Sequence, residues 1–72
     1  MNVLGNDVTK AMQVLASALV EEPVEKTSLC VDTDKEVIIF RYGNHQSLIV
    51  NCAWDSQHGA IRDFAKQCLL KL

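Results

Sequence analysis

The stretch Glu36-Val37-Ile38-Ile39-Phe40-Arg41-Tyr42-Gly43-Asn44-His45-Gln46-Ser47-Leu48-Ile49-Val50-Asn51-Cys52-Ala53-Trp54 reads as two apolar strands joined by a tight turn. β-Branched and aromatic residues fill Glu36–Tyr42, as a pleated segment favours. Glycine takes a positive φ at little steric cost, so Gly43-Asn44 suits a two-residue type II′ connection. No charged residue interrupts Gln46–Trp54, the mark of a well-covered strand. Apolar residues stand at both parities, and successive side chains on a strand point to opposite faces, so apolar side chains emerge on both sides of this hairpin.

Two registers satisfy the pattern. A two-residue loop pairs Tyr42 with His45, Phe40 with Ser47 and Ile38 with Ile49. It gathers Val37, Ile39, Leu48, Val50, Cys52 and Trp54 on one face and leaves Ile38, Phe40, Tyr42, His45, Ser47, Ile49 and Asn51 on the other. A three-residue loop reverses much of this: Ile38, Phe40, Leu48 and Val50 face the core, and Val37, Ile39, Arg41 and Ile49 face out. A slip of one residue exchanges the two faces. In either register at least three large apolar side chains stand on the second face.

The flanking segments supply cover for one face. Val8, Ala11, Met12, Leu15 and Leu19 recur at three- and four-residue steps, which predicts a helix over about Asp7–Val20, with Asn6 or Asp7 as its cap and Pro23 as its stop. Lys10, Gln13 and Ser17 form its solvated side. Thr27, Leu29 and Val31 alternate with Ser28, Cys30 and Asp32, a strand buried on one face, followed by an Asp-rich turn at Asp32-Thr33-Asp34-Lys35. A second helix opens at Asp55 or Ser56 and carries Ile61, Phe64, Ala65, Cys68 and Leu72 on one stripe, widened by Leu69. The expected fold is α+β: a single domain over 1–72, order helix, three-stranded antiparallel meander, helix, in two layers with both helices on one face.

Composition narrows the function. With 72 residues, 49% apolar and 22% charged, the chain folds as one small globular domain with a thin core. A net charge of −2 is spread without a basic block, which disfavours a phosphate-backbone ligand or a membrane surface. No apolar run is long enough to span a bilayer, and Met1–Asp7 has neither a basic nor an apolar leader region, so a cytoplasmic protein is expected. Three cysteines, Cys30, Cys52 and Cys68, are an odd, widely spaced set and read as free thiols.

Catalytic and metal chemistry find little support. The thiols lack the paired short spacing of structural zinc sites, and no His-x-x-x-His occurs with His45 and His58, so neither metal nor other cofactor is expected. Cys68 lies on a buried stripe and Cys52 beside the core anchor Trp54, where inert thiols belong. Gly5, Gly43 and Gly59 are isolated and build no phosphate loop. No catalytic residue and no small-molecule substrate is inferred.

The element order and length resemble the double-stranded-RNA-binding domain, and Gly59-Ala60-Ile61-Arg62-Asp63-Phe64-Ala65-Lys66-Gln67-Cys68-Leu69-Leu70-Lys71-Leu72 is similar to that family's last helix, where Ala-Lys precedes a leucine-rich finish. The resemblance implies duplex phosphates held at the start of that helix. The matching stretch offers His58, Arg62 and Lys66 among Asp55 and Asp63, without the family's lysine cluster, and Asp32-Thr33-Asp34-Lys35 replaces its proline- and histidine-containing loop. Along this line Arg62, Lys66 and Lys71 are the candidate nucleic-acid contacts. The residues themselves favour a different function: a small non-enzymatic interaction or regulatory module that binds a protein, or a second copy of itself as a homodimer, through Ile38, Phe40, Tyr42 and Ile49 on the helix-free face.

Overall fold

A computed structural model describes residues 5–32, 34–51 and 56–72. Its order is α1 (Asn6–Leu19), a 3-10 turn (Val24–Lys26), β1 (Ser28–Asp32), β2 (Val37–Tyr42), β3 (Gln46–Asn51) and α2 (Gln57–Lys71). The strands form one antiparallel sheet in the order β1-β2-β3, and both helices pack on one face of it. This is the expected two-layer α+β architecture. The expectations for Cys52, Ala53, Trp54 and Asp55 fall outside the described residues.

Phe40 pairs with Leu48 and Tyr42 with Gln46, so the hairpin closes through three residues, Gly43, Asn44 and His45. The longer register is the one adopted. Its cost is local: His45 stands at φ 64°, a left-handed conformation that glycine tolerates better, beside Gly43 at φ 59°. Its gain is larger. Leu29 and Val31 of β1 stand opposite Phe40 and Ile38, so only this register puts the apolar set of all three strands on one face. Fully burying a side chain the size of Phe contributes about 1.5–3 kcal/mol, against about 1–2 kcal/mol for one left-handed residue.

The core is built from Ile38, Phe40, Leu48 and Val50 on the sheet, Val8, Met12 and Ala16 on α1, and Ala60, Phe64 and Cys68 on α2, with Leu15, Val20, Leu29, Val31 and Tyr42 packed at its margin. Each helix buries one residue in four over two turns. Ala16 and Ala60 are wholly buried and let α1 and α2 approach closely. The buried stripe of α2 is therefore rotated from the expected one: Ile61 and Leu72 are exposed, and Ala60 takes the place expected for Ile61. On α1, Ala11 faces solvent and Ala16 the core.

The helix ends also correct the sequence reading. Gly5, not Asn6 or Asp7, is the N-cap of α1, and Asp7 serves the first turn by charge alone. The C-terminus closes before Pro23. Glu21 lies at φ 58°, its N–H donates to the Ala18 carbonyl, and the Glu22 N–H donates to the Ser17 carbonyl, a Schellman arrangement with Glu where Gly is usual. Ser56 caps α2 by accepting from the Gly59 N–H at 3.0 Å. Gln13 and Ser17 are not solvated. Gln13 Nε2 reaches the Val24 and Thr27 carbonyls and Thr27 Oγ1 at 3.0–3.2 Å, and Ser17 Oγ lies 2.9 Å from Thr27 Oγ1. These contacts pin the entry to β1 against α1. They join residues 10 to 14 apart in sequence, and helical periodicity carries no signal for them.

Candidate functional site

The helix-free face of the sheet consists of three cross-strand rows. Ser28, Arg41 and Ser47 form the first, Cys30, Ile39 and Ile49 the second, and Asp32, Val37 and Asn51 the third. An apolar row thus lies between two mostly polar ones. Of the four expected interface residues, Ile49 belongs to this face and is 54% exposed. Ile38 and Phe40 do not: both are 0% exposed, because the three-residue loop turns them under the helices. Tyr42 lies on the helix side, half-buried, its ring stacked on Phe40 at a centroid distance of 5.4 Å. The expected docking set is corrected accordingly, and Cys30, Ile39 and Val37 take the places of Ile38, Phe40 and Tyr42.

The two edges of the sheet differ. At β3, Lys71 Nζ donates to the Ile49 carbonyl at 2.9 Å and Gln67 Nε2 to the Asn51 carbonyl at 3.3 Å. Residues four apart on a helix advance about 6 Å and residues two apart on a strand about 6.6 Å, so the two side chains keep step with the two carbonyls. Gln67 is steadied by a second bond to Asp63 Oδ2 at 2.7 Å. In an antiparallel ladder alternate residues bond inward, so outward carbonyls at 49 and 51 mean that Leu48 and Val50 bond to Phe40 and Ile38. Val37, Ile39 and Arg41 then bond to Asp32, Cys30 and Ser28. The N–H and C=O groups of Leu29 and Val31 are left pointing away from the sheet. Among the described residues no side chain covers them as Lys71 and Gln67 cover β3.

Outside the sheet, the largest exposed apolar side chains are on α2: Leu69 at 70% and Leu70 at 77%, with Ile61 and Leu72 less open. The Lys71 bond brings the last turn of α2 alongside Ile49. The nucleic-acid set divides. Arg62 and Lys66 are exposed one turn apart, whereas Lys71 projects from a different side of the helix and is held on the β3 carbonyl. The three do not form one cationic face.

The thiols divide too. Cys30 is exposed on the helix-free face, and Cys68 is sealed in the core, where burial pushes its pKa up from 9.0 to about 11 against a smaller opposing pull from Lys71. A shallow cleft of about 570 Å³ opens between the 3-10 turn and the β2–β3 loop, lined by Glu25, Lys26, Ser28, Arg41 and His45 among others. Among the described residues no three His, Cys, Asp or Glu side chains cluster as metal ligands would. No helix among them is long and apolar enough to cross a membrane. The chain matches no family model, no curated protein and no solved structure. What the geometry defines is a class, a small two-layer α+β fold in which, among the described residues, side chains of α2 cover the β3 edge and none covers the β1 edge.

Proposed function

We propose that this chain is a non-enzymatic protein-interaction module, working in the cytoplasm, that holds a protein partner through the apolar surface running from Cys30, Ile39 and Ile49 round the β3 edge to Leu70. The observation that carries this reading is that two large apolar side chains, Ile49 and Leu70, are each more than half exposed on elements that Lys71 ties together. Single exposed leucines need no explanation, but a contiguous apolar patch rimmed by polar residues is the usual form of a docking surface. The nucleic-acid reading keeps only the adjacent pair Arg62 and Lys66, too few cations for a phosphate footprint on a chain of net charge −2.

The test is affinity capture from lysate of the source cells on immobilised protein, with wild type beside the double variant Ile49→Asp, Leu70→Asp. Both positions are exposed, so the double variant should keep its thermal midpoint and lose the captured protein. Equal capture by both proteins overturns the reading. Capture that survives the double variant but fades steeply with added salt points to nucleic acid instead.

A further inference from the structure

We infer that a second copy of this chain pairs with the bare edge of β1, antiparallel and two-fold about Cys30, so that two three-stranded sheets become one of six strands. The pairing doubles the length of the apolar row in the surface proposed above and rests on that reading for its biological meaning.

Four observations converge on the same axis. First, the two edges differ among the described residues: Lys71 and Gln67 occupy the outward carbonyls of β3, whereas no described group takes the outward N–H and C=O groups of Leu29 and Val31 on β1. A strand edge in this state is a template for another strand, and proteins that keep such an edge free guard it with charge, proline or a bulge. The centre of β1, Leu29-Cys30-Val31, has none of these.

Second, the strand is complementary to itself. A two-fold axis at Cys30 sets Leu29 opposite Val31 of the second copy and Val31 opposite its Leu29, and each such pair exchanges two N–H···O bonds. Cys30 meets Cys30 in the intervening non-bonded position, where Cα atoms stand about 4.5 Å apart. Third, the apolar row continues across the axis. On the helix-free face it becomes Ile49, Ile39 and Cys30 followed by Cys30, Ile39 and Ile49 of the second copy, twice the length of either half.

Fourth, charge agrees. Ser28 comes opposite Asp32 of the second copy. Arg41, next in that row, then lies two strand spacings from the same carboxylate, about 10 Å between Cα atoms, with only the short Ser28 between. An arginine side chain can cross that gap. The acidic turn of each copy (Asp32, Asp34 and Glu36 against Lys35) approaches the cleft of the other, where Lys26 and Arg41 outnumber Glu25. Both contacts occur twice by symmetry.

Sedimentation of the intact chain tests this, with Cys30→Glu and Cys30→Lys as the variants. Cys30 is exposed, so both should fold with the wild-type thermal midpoint. Wild type should rise toward dimer mass with concentration. Each variant should bind itself roughly tenfold or more weakly, because like charges directly opposite on paired strands repel. An equimolar mixture of the two should recover the dimer. Arg41→Glu should weaken it as well. A short bis-maleimide, which adds one thiol across each of its two double bonds, should link wild type into dimers and fail with Cys30→Ser.

A wild-type chain that stays monomeric at several hundred micromolar overturns the inference. So does a Cys30→Glu variant that associates as well as wild type, or a mixture that does not recover. These outcomes leave the docking surface intact, because Ile49→Asp, Leu70→Asp removes that surface without touching the axis. A monomer that still captures a partner fails only the inference, and a dimer that captures nothing fails only the earlier reading.

Discussion

Ile38 and Ile39 are neighbours in the chain, yet Ile38 is sealed under two helices and Ile39 lies in the middle row of the helix-free face. The same contrast separates Phe40 from Arg41 and Val50 from Ile49. On the helix side Phe40, Ile38, Leu48 and Val50 pack with Val8, Met12 and Ala16 of α1 and Ala60, Phe64 and Cys68 of α2. On the other side an apolar row survives between Ser28, Arg41 and Ser47 and the row of Asp32, Val37 and Asn51. One side is packed for volume, and the other keeps apolar side chains outside the core. Substitutions chemically alike should therefore have unlike consequences, and that is how the contrast can be broken.

The largest difference is expected between Phe40→Ala and Ile49→Ala. Phe40 is wholly buried, so its truncation removes both transfer energy and packing and should cost about 3–5 kcal/mol. A chain of this size holds about 7 kcal/mol at roughly 0.1 kcal/mol per residue, so Phe40→Ala should lose about half or more of its stability, read as a urea midpoint about half that of wild type or lower. Ile49→Ala should stay folded. A Phe40→Ala urea midpoint equal to that of wild type would mean that the helix side is not the core.

The thiols sharpen the same contrast by pH. Burial favours the neutral form of Cys68, so its pKa is raised from 9.0 to about 11 on folding, Lys71 opposing. An unfolded chain releases that proton near pH 9 and the native chain only near 11. The stability contributed is complete below pH 9 and is lost as pH rises from 9 to about 11. Urea midpoints should fall across that window in wild type and fall less in Cys68→Ala, compared with that variant's own value at pH 7. In native protein at pH 8, a maleimide should modify Cys30 and leave Cys68 untouched until denaturant is added, read by peptide mass.

A smaller effect separates the edges. Removing both side chains that cover β3, in Gln67→Ala, Lys71→Ala, deletes two hydrogen bonds on the exposed rim and should cost about 1–2 kcal/mol. The variant also bares a second strand edge and should associate beyond the dimer at high concentration. Unchanged sedimentation would show that the helix lying alongside is enough to shield β3.

Much of this architecture was legible in the chain. The alternation of Leu29 and Val31 with Ser28, Cys30 and Asp32, the apolar steps of both helices and the punctuation at Gly43 yielded the element order. What stayed open was the register at Gly43-Asn44-His45. The local signal there, a glycine in the first position, suits a two-residue loop, and no local signal announces a histidine willing to take φ 64°. The decision came from β1, whose Leu29 and Val31 had to share a face with Phe40 and Ile38. That is a tertiary constraint, and it moved Ile38 and Phe40 from the expected docking surface into the core. The β3 cover was hidden for a similar reason. Gln67 carries no signal in the sequence and Lys71 reads as a candidate nucleic-acid contact, and only the packing of α2 beside β3 gives them carbonyls to hold.

The smallest effect is the one that separates a surface kept for binding from one kept for stability. Ile49 is 54% exposed and stands opposite Ile39 on a face no helix covers, so Ile49→Ser should change the unfolding free energy of the monomer by no more than about 0.5 kcal/mol. An isoleucine more than half exposed on an edge strand contributes little to the fold that serine would forfeit, and it carries a standing risk of aggregation. On the function proposed above, a residue with that balance is kept for a partner. Urea titration of dilute protein, below the concentration at which copies associate, measures the stability difference. A loss above 1.5 kcal/mol there would mark Ile49 as a structural residue, and the helix-free face would then be the weakly covered rim of the core.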